Sequence, residues 1–174
     1  RKQVTVLFAD IKGSMGLISG TDPEYAARII DPTVEAMMKA VHAYEGTVNR
    51  VLGDGIMALF GAPIAHEDHA QRACYAALSM RDAMAVLSER TRREVGIDMQ
   101  VRIGLNSGEV IVRSINNDLA INYDAIGETT HLAARMEQLA SPGTIRISAQ
   151  TFALVRDFVS VESLGSIPVK GHVE

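Results

Sequence analysis

Asp10 and Asp54 are the first residues whose chemistry stands out. Asp10 follows the apolar run Val4 to Ala9, and Asp54 lies between Gly53 and Gly55 at the tip of an expected hairpin. If the strands that carry them are neighbours, both carboxylates reach one edge of a sheet. Paired carboxylates on a rigid edge can hold one or two Mg²⁺ ions, which take oxygen ligands and leave room for phosphate oxygens. Lys12, Gly13, Ser14, Met15 and Gly16 follow as a small-residue loop. Its backbone N–H groups can cradle phosphate. The plainer alternative is that Asp54 only makes a turn and Asp10 only ends a strand, since Asp is favoured in turns. The glycine-rich loop after Asp10 moves the balance towards metal and phosphate.

Other candidates carry less. No Gly-Lys-Ser/Thr stands at Walker A spacing, and Gly104 to Gly108 lacks a dinucleotide fingerprint. His66 and His69 are three apart, but no further ligand or Cys pair accompanies them, so they read as surface and capping residues. Cys74 falls on an apolar helical face and reads as core rather than nucleophile.

Apolar patterning predicts the elements that position these residues. Val4 to Ala9 is a buried strand. Asp22 caps a helix with Pro23 in its first position, Pro32 bends or restarts that helix, and Gly46 stops it. Thr47 to Leu52 and Ile56 to Phe60 are strands around the Asp-Gly hairpin signal. Glu67 to Arg93 is a long helix with Ala70, Ala73, Cys74, Ala77, Met80 and Met84 on its apolar face. Met99 to Leu105 and Glu109 to Val112 are strands joined by Asn106, Ser107 and Gly108. Thr129 to Leu139 is a helix, Thr144 to Ser148 a strand, Ala149 to Arg156 a short helix, and Phe158 to Ser163 a last strand or two. This order predicts an α/β (α+β) sandwich of ferredoxin-like βαββαβ kind with an added hairpin and helices on one face.

The 174 residues are 47% hydrophobic and 22% charged, which fits a single globular domain over 1–174. A single cysteine permits no internal disulfide and favours a cytoplasmic setting. No apolar run reaches a membrane span and no signal peptide opens the chain; the ends suggest a domain cut from a longer protein. A net charge of −4 argues against a nucleic-acid partner, and 5% aromatic residues argue against base stacking.

Four blocks in order resemble a known family. They are Phe8 to Ser14, with Phe8-Ala9-Asp10-Ile11; Val51 to Gly61, with Leu52-Gly53-Asp54-Gly55; Val101 to Val110; and Tyr123 to Thr129, running on to Met136. Together they are similar to the catalytic domain of class III nucleotidyl (adenylyl and guanylyl) cyclases, over essentially the whole chain. The Gly-Gly-acidic-Glu-Phe signature of diguanylate cyclases is absent.

The resemblance implies an adenylate cyclase, forming 3′,5′-cyclic AMP and pyrophosphate from ATP with two Mg²⁺ or Mn²⁺ ions per site. It implies that Asp10, Asp54 and the Ile11 carbonyl bind the metals. It places Lys12, Gly13, Ser14 and Met15 at the phosphates and Lys170 near them. Arg135 would stabilise charge developing at phosphorus, a charge-complementarity role. Asp124 would accept from the adenine amino group. The resemblance further implies a head-to-tail homodimer. Asp10 and Asp54 of one subunit would then act with Arg50, Asp124, His131 and Arg135 of the other.

Two residues depart from the family pattern. Four residues before Asp54, where adenylyl cyclases carry a lysine, stands Arg50. Its planar fork can donate to adenine, or to guanine O6 and N7, so GTP is the alternative substrate. Four residues before Arg135, where the family carries an asparagine that orients the ribose, stands His131. It orients the ribose, adds charge, or marks a weakened site. A catalytically degenerate domain that regulates attached domains is the reading from another class.

Overall fold

The structure is a computed structural model describing residues 1–12, 22–117, 120–165, 168–169 and 172–173, with backbone alone over 113–126 and beyond 165. The elements are β1 (Lys2–Lys12), α1 (Pro23–Ala43), β2 (Thr47–Val51), β3 (Gly55–Phe60), α2 (His69–Val95), β4 (Gln100–Asn117) and β5 (Ala120–Ile126). They continue with α3 (Glu128–Leu139), β6 (Ile145–Ile147), α4 (Ala149–Val155), β7 (Pro168–Val169) and β8 (His172–Val173). The main sheet runs β2-β3-β1-β4-β5, and β6 joins β4 in parallel; β7 and β8 pair with each other in a second, two-stranded sheet. The mixed α/β class expected from the sequence holds.

Strand alternation divides the sheet into two faces. Leu7, Ala9 and Ile11 of β1, Ile56, Ala58 and Phe60 of β3, and Val101, Ile103 and Leu105 of β4 point into one core with α1 and α2. Val4, Val6, Met57, Leu59 and Val110 point the other way, into a second cluster with Ala133 of α3. The expectation of helices on one face is therefore corrected: α3 lies on the opposite face. Glycines make room for it. A Cβ on Gly104 would sit 2.0 Å from the backbone nitrogen of Glu137, and one on Gly108 would sit 2.8 Å from Thr129 Oγ1.

That packing explains a second correction. Asn106, Ser107 and Gly108 do not form a turn; β4 runs straight through them. Asn106 and Ser107 are buried. Asn106 donates to the Thr129 carbonyl at 3.1 Å and accepts from Ser148 Oγ at 2.6 Å. Ser107 Oγ lies 2.7 Å from Thr5 Oγ1 and 2.8 Å from Thr151 Oγ1. Turn-like residues serve here as satisfied buried polar groups.

Smaller differences have local causes. Helix α1 starts as expected, with Asp22 accepting from the Glu24 amide at 3.3 Å. It neither stops nor restarts at Pro32; its apolar stripe, including Ile30, Val34, Met37 and Val41, stays buried across the proline, so packing offsets the lost hydrogen bond. Residues 159–165 form no strand, and Val161 and Leu164 are exposed. Among the described residues no helix is long and apolar enough to cross a membrane.

Candidate active site

Asp10 lies near the end of the central strand β1, and its backbone is in register with Gly55 of β3 and Arg102 of β4. Asp54 is in the β2–β3 turn, where its carbonyl accepts from the Ile11 amide at 3.0 Å. The turn is closed by Leu52 N–H to Gly55 O at 2.8 Å, and Gly53 has φ +80°, a conformation suited to glycine. A Cβ on Gly55 would meet the Ala9 carbonyl at 2.2 Å. Glycine there lets the hairpin tip close onto β1. The sheet thus brings Asp10, Ile11 and the Asp54 turn together at one end of the neighbouring strands β1 and β3.

Arg102 occupies the position beside them. Its Nε donates to Asp10 Oδ1 and its Nη2 to Oδ2, both at 3.3 Å, so the guanidinium spans the carboxylate. Nη1 donates to the Gln138 carbonyl at 3.3 Å, at the C-terminal end of α3. The last carbonyls of a helix lack partners in the next turn and carry partial negative charge, which suits a cation. The bonds to Asp10, outweighing burial, hold Arg102 more firmly charged than an isolated arginine.

Glu137 lies on the other side of Arg102. Its side chain is 8% exposed, and Oε1 comes within 3.4 Å of Arg102 Nε. That oxygen nonetheless accepts no hydrogen bond of good geometry. Burial first, then the hydrogen bond and charge of Asp10, push the Glu137 carboxyl up to about 8; Arg102 opposes the shift but does not overcome it. Asp54 adds to the same repulsion. Three acids thus act electrostatically on one arginine.

Neither Arg102 nor Glu137 figured among the sequence candidates. Arg102 alternates with Val101 and Ile103, as any outward-facing strand residue does. Glu137 left a signal: it shares the helical stripe of Ala133 and Ala140, both buried, at spacings of four and three. A charged residue on that stripe must find a partner or lose its charge.

Of the other candidates, Arg50 is exposed on the edge strand β2, opposite Met57 and next to a register shift. His131 and Arg135 are both exposed, one helical turn apart on the face of α3 turned away from the sheet. Lys12 ends β1, exposed. Asp124 is placed by backbone alone, opposite Arg113 in the β4–β5 ladder. Gly13, Ser14, Met15 and Lys170 lie outside the described residues. His69 is corrected from a surface residue. It is buried, with Nδ1 2.8 Å from Thr5 Oγ1, and burial pulls its pKa down, against Asp68. Cys74 is core as expected, its thiol pushed up to about 11 by burial.

Among the described residues no three His, Cys, Asp or Glu side chains group around one point. A caged metal such as structural zinc would need such a group. The donors present are two carboxylates and a backbone carbonyl, all oxygen. That set fits Mg²⁺ or Mn²⁺, which commonly use one or two carboxylates and fill the remaining positions with water and substrate phosphate. Asp10 is part-exposed, its side chain at 31%, and so remains open to a cation.

All 174 residues match the family model described as the adenylate and guanylate cyclase catalytic domain. Adenylate cyclase 1 of Rhizobium meliloti is 28% identical over 99% of this chain, which spans 26% of that relative's length. Three solved structures are similar throughout. The adenylyl cyclase CyaB from P. aeruginosa is 30% identical, with a TM-score of 0.91 over 98% of this chain and 89% of that one. The guanylyl cyclase Cya2 is 28% identical, with a TM-score of 0.90 over 99% and 87%. A dimeric guanylyl cyclase domain from Blastocladiella emersonii is 25% identical, with a TM-score of 0.86 over 96% and 90%.

Proposed function

The chain belongs to the adenylate and guanylate cyclase catalytic-domain family, and from that premise we propose that it converts ATP to 3′,5′-cyclic AMP and pyrophosphate at sites shared between two copies. The observation that carries this reading is the closure of the Asp54 turn onto β1 beside Asp10, with Ile11 N–H bonded to the Asp54 carbonyl at 3.0 Å. Asp10, Asp54 and the Ile11 carbonyl would hold two Mg²⁺ or Mn²⁺ ions, which when bound supply Lewis-acid charge at the ribose and phosphate oxygens. The ribose 3′-oxygen forms a bond to the α-phosphorus as the bond from that phosphorus to the bridging oxygen breaks. The hydroxyl proton passes to solvent water and pyrophosphate leaves.

The chain's other residues bind and orient. Lys12 and the loop of Gly13, Ser14 and Met15 meet the β- and γ-phosphates, with Lys170 nearby. Arg135 donates to the oxygens that gain charge at the transferred phosphorus, a preorganised role that acts mainly in the transition state. His131, one turn earlier on the same exposed face, orients the ribose. Arg50 and Asp124 read the base. Exposure of His131 and Arg135 on the outer face of α3 is what a site completed by a second copy requires.

A second reading, GTP as substrate, is favoured by Arg50, whose fork matches guanine O6 and N7, and by the likeness to Cya2. Product analysis with ATP and GTP in separate reactions, with Asp54→Ala as control, decides between them. The expected result is cyclic AMP from ATP, lost in Asp54→Ala. Cyclic GMP in excess transfers the assignment to the guanylyl reading. No cyclic product from either nucleotide, in a dimeric sample, refutes the enzyme.

A further inference from the structure

Arg102 poses a difficulty for the metal site that the structure also resolves. It spans both oxygens of Asp10, so a cation that takes Asp10 competes with it for those oxygens. An arginine only 20% exposed is costly to strand without an acceptor. Two other acceptors stand within reach, both on α3. The Gln138 carbonyl already receives Nη1. Glu137 Oε1 lies 3.4 Å from Nε, buried and without a hydrogen bond. Its backbone is fixed against the sheet, because β4 carries Gly104 where any Cβ would strike Glu137 N. The orphaned oxygen therefore waits beside the donor that Asp10 would release.

We propose that Glu137 is a positioning residue for metal binding, a second acceptor that holds Arg102 when Asp10 turns to a cation. The inference rests on the reading of Asp10 and Asp54 as metal ligands. A carboxyl accepts from Arg102 in either protonation state, so the role needs no particular charge on Glu137. Glutamine keeps a carbonyl acceptor of the same reach; methionine has similar length and none. Removing the acceptor leaves Arg102 competing for Asp10, so the cation is held less well.

The test is direct Mn²⁺ binding to the full chain, read by electron paramagnetic resonance without nucleotide. Glu137→Met is expected to bind Mn²⁺ about tenfold more weakly, the low end of what loss of an outer-sphere partner costs. Glu137→Gln is expected to stay within about twofold of wild type. In an Arg102→Gln background, Glu137→Met is expected to add less than about a twofold change. Arg102→Met serves the same purpose if Arg102→Gln fails to fold, since it keeps an unbranched chain and removes every donor. The inference is overturned if Glu137→Met binds as wild type does, if Gln weakens binding as much as Met, or if the loss persists without Arg102. Wild-type binding that Asp54→Ala leaves unchanged refutes the metal-ligand reading itself, and is recognised separately by that control.

Discussion

Asp10 is shared at present with an arginine, and this shapes the chemistry of the residues around it. Its bonds from Arg102 keep the carboxylate paired, while Glu137 behind it carries the cost of burial beside two other acids, Asp10 and Asp54. A carboxyl raised from 4.5 to about 8 in the folded chain holds a proton that the unfolded chain releases over that range. Folding therefore binds protons, and stability falls as pH rises through this window and levels off above it. Glu137→Gln removes the titration, so its melting temperature should gain on wild type between pH 5 and pH 8 without metal. Parallel curves would show that Glu137 does not carry the shift. Asp10 and Asp54 were legible in the sequence because a strand end and an Asp-Gly turn are local signals. Arg102 and Glu137 were not, because their meaning comes from a contact between β4 and α3, which are separated by a hairpin.

The elements were read best where a pattern is local and worst where packing overrides it. The Asp22 cap, the Leu52 to Gly55 turn and the α2 stripe needed only neighbours in sequence. Strand β4 did not, since Asn106, Ser107 and Gly108 resemble a turn until α3 and α4 supply partners for their polar groups. The face that α3 covers was also hidden, because strand order alone does not say which side a helix crosses. Gly104 is the residue on which that placement depends. A methyl group there would lie 2.0 Å from Glu137 N and 2.5 Å from its Cα, both backbone atoms that cannot turn aside. Gly104→Ala should cost about 3 kcal/mol, at the upper end of ordinary overpacking. The midpoint of urea unfolding measures it, and an unchanged midpoint would place α3 farther from the sheet. Displacing α3 also moves the end of the helix that anchors Arg102.

At the scale of the whole molecule, the proposed function divides the site residues of one chain into two groups set on different elements. The carboxylate edge is formed by β1 and the β2–β3 turn, whereas His131 and Arg135 lie on the outer side of α3. The net charge of −4 includes the two acids that cations would offset, and under the proposed function the cationic partners for the nucleotide would come from the second copy. In a symmetric dimer each interface residue serves the neighbour, so a defect in one half-site can be complemented by a defect in the other. The most direct measurement is cyclic AMP formation from ATP by an equimolar mixture of Asp54→Ala and Arg135→Ala chains. Each variant alone should be inactive or nearly so, and random pairing should restore about a quarter of wild-type activity, because half the dimers then hold one intact site of two. A mixture that stays as inactive as its parts, while wild type is active and the chains exchange, would contradict the shared site.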